Sequence, residues 1–186
     1  MNADAWAPPV LRTRRLIIRP FRVDDLEAVH AYAKDWPPTQ YGSWLGGDDP
    51  SEAARYIADT VSRYGRPPRA DLAVTLEGRL IGGVGWRQVW VAPPQVEVGW
   101  VLHPQAAGRG VATEAVSALV EHLYSSSDEL LRVEARVAAD DRAGVRMLEG
   151  LGFQQEGTLR RGASGGDCLL FGLLRDERLP AAAASS

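Results

Sequence analysis

The most informative segment of the 186-residue sequence is a glycine-containing loop, Gln105-Ala106-Ala107-Gly108-Arg109-Gly110. The apolar run 96–102 before it predicts a strand, and apolar residues at helical spacing from Val111 to Leu123 predict a helix after it. Glycine permits positive φ and a close approach of the backbone to a ligand, and the free N–H groups at a helix start attract anionic oxygens. The segment therefore predicts a site for the phosphates of a cofactor.

Two common nucleotide-binding loops do not fit this segment. A nucleoside-triphosphate P-loop has a lysine after its last glycine, whereas Val111 follows Gly110. A dinucleotide fingerprint has a third glycine where Thr113 stands. ATP and NAD are therefore disfavoured. Two glycines alone would be explained more simply by a plain strand-to-helix turn, but the flanking strand and helix favour a phosphate site.

The loop resembles the acetyl-CoA loop of the GNAT acyltransferases, whose pattern is Arg/Gln-x-x-Gly-x-Gly/Ala after a central strand. Gln105, Gly108 and Gly110 match its fixed positions. The runs 98–104 and 108–115 are similar to the ribosomal-protein (alanine/serine) N-acetyltransferase subgroup, and 11–20 and 151–153 resemble its first strand and its late helix–strand junction. The resemblance covers nearly the whole folded chain.

This resemblance implies an α/β fold with a GNAT-like mixed, mostly antiparallel central sheet, helices on both faces, and acetyl-CoA as co-substrate. The strand ending at Leu102 would splay from its neighbour, bind the pantetheine arm through its backbone, and stabilise the oxyanion with an N–H near Val101. The residues assigned to acetyl-CoA are Trp100, Val101, Leu102, Gln105, Ala106, Ala107, Gly108, Arg109, Gly110, Val111, Ala112, Thr113 and Asp141.

Glu97 is the leading candidate for the base that deprotonates the acceptor amine. A lysine amine with a pKa of ~10.4 is neutral in about one molecule in 2,500 at pH 7, against roughly one in ten for an α-amine. A charged residue on a central strand requires an explanation, and similar acyltransferases often carry Glu at this position. The alternative is a structural ion pair with Arg87. Asp71 and Glu77 are weaker candidates, because we expect them at a strand end and a turn.

Two positions depart from the family pattern. Asp141 replaces the Asn that begins the late helix, and Gly144 replaces the Ser often proposed to protonate the CoA thiolate. Other GNAT branches use a Tyr where Leu148 stands. Water would then have to supply the proton, and Asp141 is also a good helix N-cap. These departures keep open an alternative, an acyl-CoA-binding module that has lost catalysis.

The acceptor is the least defined part of the prediction. Trp36, Tyr41 and Trp44 lie in a Pro- and Gly-rich segment that would overhang the thioester, where they either form an aromatic acceptor wall or anchor a long loop. The acceptor is a primary amine, either a protein N-terminus or a small molecule. The three histidines have no metal-ligand spacing, so we assign no metal.

Composition predicts one cytoplasmic domain over residues 11–178, with a flexible N-terminus at 1–10 and a disordered tail at 179–186. The net charge of −3 argues against nucleic acid, and no apolar run is long enough for a membrane span. The single cysteine, Cys168, suits a reducing compartment. A homodimer is possible. A third hypothesis, an oligomeric structural protein, predicts that acetyl-CoA does not bind.

The predicted elements follow in order along the chain. Asp24 is expected to cap a first helix, and the sequence 49–52 has the cap, proline and carboxylate of a second helix start. The inner face of this second helix is predicted to comprise Ala54, Ile57, Ala58 and Val61. An antiparallel meander follows up to Leu102. After the loop and its helix come a strand over 131–137, a helix capped near Asp140 or Asp141, and a final hairpin.

Overall fold

The strands form one sheet with helices packed on it in the computed structural model, which describes residues 7–33, 49–64, 69–163 and 166–178. The strands are β1 Leu11–Arg12, β2 Leu16–Pro20, β3 Arg69–Leu76, β4 Arg79–Trp90, β5 Gln95–Leu102, β6 Arg132–Ala138, β7 Gln154–Ala163 and β8 Gly166–Leu174. The helices are α1 Leu26–Ala33, α2 Pro50–Arg63, α3 Val111–Ser126 and α4 Arg142–Gly150. Residues 1–6 of the predicted flexible N-terminus at 1–10 lie outside these ranges, and so does the predicted tail at 179–186. No helix within them is long and apolar enough to cross a membrane.

The sheet has the strand order β1-β2-β3-β4-β5-β6-β8-β7, and every pair is antiparallel except β5 with β6. Alternate residues of a strand point to opposite faces. On β3, Leu72 and Val74 therefore pack in the cluster that contains residues of α3 and α4, whereas Ala73 packs with α1 and α2. The predicted mixed, mostly antiparallel sheet with helices on both faces is confirmed.

The two helix starts in the first third of the chain differ in how well the sequence predicts them. Asp49 caps α2 as expected, since its carboxylate accepts a hydrogen bond from the Ser51 N–H at 2.8 Å. The predicted cap at Asp24 is wrong, because a 3₁₀ turn over Val23–Asp25 precedes α1. The buried residue of that turn is Asp25, whose carboxylate accepts from the Arg22 N–H and pairs with Arg19.

The inner face of α2 is rotated by about one residue from the predicted one. The buried residues are Ala53, Ile57 and Thr60, and Ala58 is exposed. The sequence has alanine at both 53 and 54, so the helical spacing of apolar residues does not determine which of the two faces the core. Tyr56 packs edge to face against Phe21 with ring centroids 5.6 Å apart, and this contact is consistent with the observed rotation.

Candidate active site

The sheet opens into a fork where the parallel strands β5 and β6 diverge. The two strands pair from Gln95 and Arg132 as far as Val98 and Ala135, and not beyond. From Gly99 to Leu102, β5 stays paired with β4 on its other edge. One backbone edge of the last four residues of β5 therefore faces the fork and can bind an extended ligand.

Two helices begin at the mouth of the fork. Strands β5 and β6 are parallel, so their carboxyl ends meet at one edge of the sheet, and α3 and α4 follow these ends. Gly110 occupies the N-cap of α3 in the left-handed conformation, with no side-chain cap on the helix. The first N–H groups of α3 are thus available to an anion, and the helix dipole favours negative charge there.

The glycine loop has the backbone shape that the sequence predicts. Gly108 and Gly110 have φ of +71° and +70°, and a Cβ at Gly108 would meet no atom within 4 Å. A short 3₁₀ turn, Pro104–Ala106, precedes them and is capped by His103, whose Nδ1 accepts from the Gln105 N–H. Both positive-φ glycines are therefore exposed to solvent, and the turn before them is held by the His103 cap.

Arg15, in the turn between β1 and β2, braces this loop, and the sequence analysis does not identify it. Its Nη1 donates to the Arg109 carbonyl at 2.9 Å, and its Nε pairs with Glu114 of α3 at 2.6 Å. Thr13 also donates to Glu114 at 2.5 Å. Burial raises the pKa of Glu114, but the bonds from Thr13 and Arg15 outweigh it and lower the pKa overall. Arg15 is separated from Arg109 by 94 positions and from Glu114 by 99, and no local sequence signal indicates such distant contacts.

Glu97 lies on β5 just before the fork, on the α1/α2 face, with only 4% of its surface exposed. Its Oε2 accepts a hydrogen bond from Arg87 at 2.8 Å and lies 3.5 Å from Arg136 Nε. The ion pair with Arg87 that the sequence allows as the alternative is therefore present.

Among the candidate acidic residues, Asp71 differs most from its predicted position, because the sequence predicts an exposed residue and the structure has a buried one. It is the third residue of β3 and 9% exposed, not an exposed strand end. Its Oδ2 accepts from Arg69 Nη2 at 2.8 Å. Burial raises the pKa of Asp71, and the nearby Arg69 offsets only part of that rise. Glu77, by contrast, lies in the exposed β3–β4 turn as predicted.

A family model described as an acetyltransferase (GNAT) domain matches residues 15–154, which include the fork, the glycine loop and the start of α4. The chain belongs to the GNAT acetyltransferase family. An uncharacterized N-acetyltransferase, p20, of Bacillus licheniformis is 30% identical over 173 residues, which are 90% of this chain and 97% of that protein. YoaA of Bacillus subtilis, also named as an N-acetyltransferase, is 29% identical over 82% of this chain and 87% of its own.

Solved GNAT structures have the same fold at low identity. The ribosomal L7/L12 alpha-N-protein acetyltransferase RimL, in complex with coenzyme A, superposes with a TM-score of 0.77 at 14% identity and covers 91% of this chain and 99% of its own. The microcin C7 self-immunity acetyltransferase MccE, in complex with acetyl-CoA and AMP, gives 0.75 at 16% identity, with 91% and 98% covered. These structures show the fold, and membership of the GNAT family, shown by the family model, makes the chain an acetyltransferase whose donor is acetyl-CoA.

The structure gives a packing reason for one departure from the GNAT pattern. Asp141 caps α4, accepting from the N–H groups of Ala143 and Gly144 at 3.1 and 2.9 Å. A Cβ at Gly144 would lie 2.6 Å from both Asp141 Oδ2 and Val137 Cγ2. A serine does not fit there without displacing the cap. Leu148 is fully buried, so this position offers no hydroxyl to a ligand either.

The predicted acetyl-CoA residues divide by how their side chains are placed. Four have buried side chains, and any contact with the donor would go through the backbone; they are Val101, Leu102, Ala106 and Val111. Trp100 and Ala112 are half-buried, and Gln105, Ala107, Gly108, Arg109, Gly110, Thr113 and Asp141 are exposed. The acceptor residues Trp36, Tyr41 and Trp44 lie outside the described ranges. Within those ranges, no three His, Cys, Asp or Glu side chains are arranged to hold a metal ion.

Proposed function

We propose that the chain transfers the acetyl group of acetyl-CoA to a primary amine by direct attack of the amine on the thioester. The observation that carries this proposal is the fork between β5 and β6, which begins one residue beyond Val98 and has the starts of α3 and α4 at its mouth. The donor would enter from the α3/α4 side, with its pyrophosphate at the glycine loop. The amine would approach from the α1/α2 face, where Glu97 lies.

In this mechanism Glu97 accepts a proton from the acceptor nitrogen, directly or through one water. The neutral amine forms the C–N bond at the thioester carbon, and a backbone N–H near Val101 donates to the oxygen as negative charge develops on it. The C–S bond then breaks. Solvent water protonates the thiolate, because Gly144 and Leu148 have no acidic group. The second proton of the nitrogen is released to solvent as the amide forms.

Two acceptor classes are supported equally. RimL is named for a protein α-amine, whereas MccE is named for self-immunity to a microcin and was solved with AMP and acetyl-CoA, so the names of these neighbours do not favour one acceptor class for this chain. A homodimer stays a prediction, which sedimentation velocity would test.

Isothermal titration with acetyl-CoA tests the donor half of the proposal. Gly108→Trp should abolish binding, because Gly108 has positive φ and a large side chain would occupy the open face of the loop. Gly150→Trp is the matched control, since it also lies in open space, at the far end of α4. Its dissociation constant should equal that of the wild type. A folded wild type that does not bind acetyl-CoA would overturn the proposal.

A panel of amines separates catalysis from binding alone. The absence of any serine or tyrosine acid at Gly144 and Leu148 favours the second candidate, a donor-binding module without turnover. Thiol release should be followed with glycinamide, a peptide beginning with serine, Nα-acetyllysine amide and spermidine. Acetylation of any of them supports the transferase. Tight acetyl-CoA binding without turnover of all four would favour the module.

A further inference from the structure

A row of two glycines, Gly85 and Gly99, crosses the α1/α2 face of the sheet beside the fork, and we call this row the trough. Asp71 on β3 is in register with Gly85 on β4, and Gly85 with Gly99 on β5. Gly99 is the first residue of β5 beyond its last partner in β6. At this register the described strands therefore carry no side chain between Asp71 and the fork, and Asp71 forms one end of the trough.

The Asp71 carboxylate leans into this trough. A Cβ built on Gly85 would lie 2.5 Å from Asp71 Oδ1, which places that oxygen directly above the glycine. Neighbouring strands are about 4.8 Å apart, so Oδ1 lies roughly one strand spacing from Gly99. This is within reach of an amine that attacks a thioester held in the fork.

The other acidic side chains of this face are engaged differently. Glu97 lies close to two guanidiniums, Arg87 and Arg136. Glu134, its register neighbour on β6, lies 3.5 Å from both Arg132 and Arg136. Among the described residues, the side-chain hydrogen bonds of Asp71 both come from Arg69 and both go to Oδ2. Oδ1, the oxygen above the trough, keeps its capacity to accept a bond from a further donor.

We infer that Asp71 binds the cationic amine of the acceptor and sets the preference of this site for ammonium-bearing substrates. The inference rests on the proposed function and adds a residue to it. The protonated amine donates one N–H to Asp71 Oδ1 on entering the trough, and this bond holds the nitrogen beside Gly99. Proton removal then falls to Glu97. Asp71 is thus an acceptor-binding residue, and its removal should affect acceptor affinity more than the chemical step.

The test is steady-state kinetics with the member of the amine panel that the wild type acetylates fastest. Asp71→Asn should raise KM for the amine about tenfold or more, the loss expected for a charge-assisted hydrogen bond, and change kcat little. The dissociation constant for acetyl-CoA should not change. Asp71→Glu should recover part of the affinity, since it restores the charge. Asp71→Ala is a second variant, because the side-chain amide introduced by Asp71→Asn can itself accept a hydrogen bond from the amine and alanine cannot.

Asp25→Asn is the matched control, because Asp25 is also a buried aspartate paired with an arginine, and it lies at the start of α1. Its KM for the amine should equal that of the wild type. The binding of the same amine to the CoA-saturated protein, measured by calorimetry, should weaken in the Asp71 variants in parallel with KM. Unchanged KM and unchanged amine binding in both Asp71→Asn and Asp71→Ala would overturn the inference while the proposed function stands. Lack of turnover in the wild type would instead overturn both.

Discussion

At Glu97 one carboxylate has two possible roles, because it pairs with Arg87 and also lies two residues before the open part of β5. If it is the base, Glu97→Gln should lower kcat by about 10²–10⁴-fold and leave acetyl-CoA binding intact. The amide keeps the size of the side chain but cannot accept the proton. Stopped-flow measurement of thiol release, with calorimetry in parallel, separates the two effects.

Glu134→Gln is the control for this prediction. Glu134 is also buried and also lies between two arginines, but it is on β6. Glu134→Gln should therefore lower the free energy of unfolding and have a much smaller effect on kcat than Glu97→Gln. If the two variants lose stability to a similar degree and neither loses rate, Glu97 is only the structural partner of Arg87.

Gly144 offers a second prediction at a single residue. Gly144→Ser restores the family hydroxyl but places a Cβ 2.6 Å from Asp141 Oδ2 and Val137 Cγ2. Overpacking of this kind costs about 1–3 kcal/mol of unfolding free energy. Urea denaturation should show that loss, whereas Gly150→Ser in the same helix has open space and should lose less than about 1 kcal/mol. Equal stability of the two variants would contradict the packing explanation for glycine at 144.

At the level of elements, local pattern predicts most of the fold. The strand before the glycine loop and the helix after it follow from apolar period, and the start of α2 follows from Asp49 and Pro50. The pattern does not predict features that tertiary contacts determine, such as which face of α2 packs toward Phe21. It also fails for Asp71, because an acidic residue near a strand end looks exposed until the register with Gly85 is known.

The glycine loop is an element whose shape depends on a contact that no local pattern reveals. Arg15 connects the β1–β2 turn to the Arg109 carbonyl and to Glu114 of α3. Arg15→Met keeps the aliphatic stem and removes both bonds. We expect acetyl-CoA binding to weaken about tenfold, since a looser loop must be ordered when the donor binds. Titration calorimetry measures this loss.

Arg55→Met is the matched control for Arg15→Met. Arg55 pairs with Glu52 one turn away on α2 and is well exposed, so its ion pair contributes little to stability. Its acetyl-CoA affinity should equal that of the wild type. An equal affinity of the Arg15 variant would show that the loop holds its shape without the β1–β2 turn.

For the whole molecule, the two faces of the sheet have separate tasks in the proposed reaction. The α3/α4 face has the larger apolar cluster and the helix starts that would receive the donor. The α1/α2 face has the smaller cluster, which includes Val101, and next to it the charged residues around the trough. Charge buried for binding costs folding free energy. The pH dependence of stability should therefore distinguish a structural carboxylate from one kept for function.

Asp25 and Asp71 are the pair for this comparison. Burial raises the pKa of Asp25, but bonds from Arg19 and the Arg22 N–H outweigh it and lower the pKa overall. Asp25 therefore stabilises the fold at neutral pH, and this contribution is lost as the pH falls below about 4 through its folded pKa. Asp25→Asn should lower Tm at pH 7 by roughly 5 °C, with the difference shrinking in acid.

Asp71 should behave in the opposite way. Burial is the largest influence on its pKa and raises it; Arg69 and Arg63 lower it, and Asp59 raises it further. The Tyr64 hydroxyl also lies nearby and donates to the Asp71 backbone carbonyl. The folded state then binds more protons than the unfolded state above pH ~4, so stability falls as the pH rises through the folded pKa.

An asparagine at position 71 resembles the protonated acid and avoids this cost. Asp71→Asn should therefore have a Tm at pH 7 equal to or above that of the wild type, and the two should converge toward pH 4. Scanning calorimetry of both variants between about pH 2 and pH 8 measures the two trends together, because the Asp25 trend lies below the unfolded pKa of about 4 and the Asp71 trend above it. A Tm of Asp71→Asn that falls at pH 7 as far as that of Asp25→Asn would mean that the Arg69 pair stabilises the fold. Asp71 would then stabilise the folded protein, and the comparison would give no sign that it is kept for binding an amine.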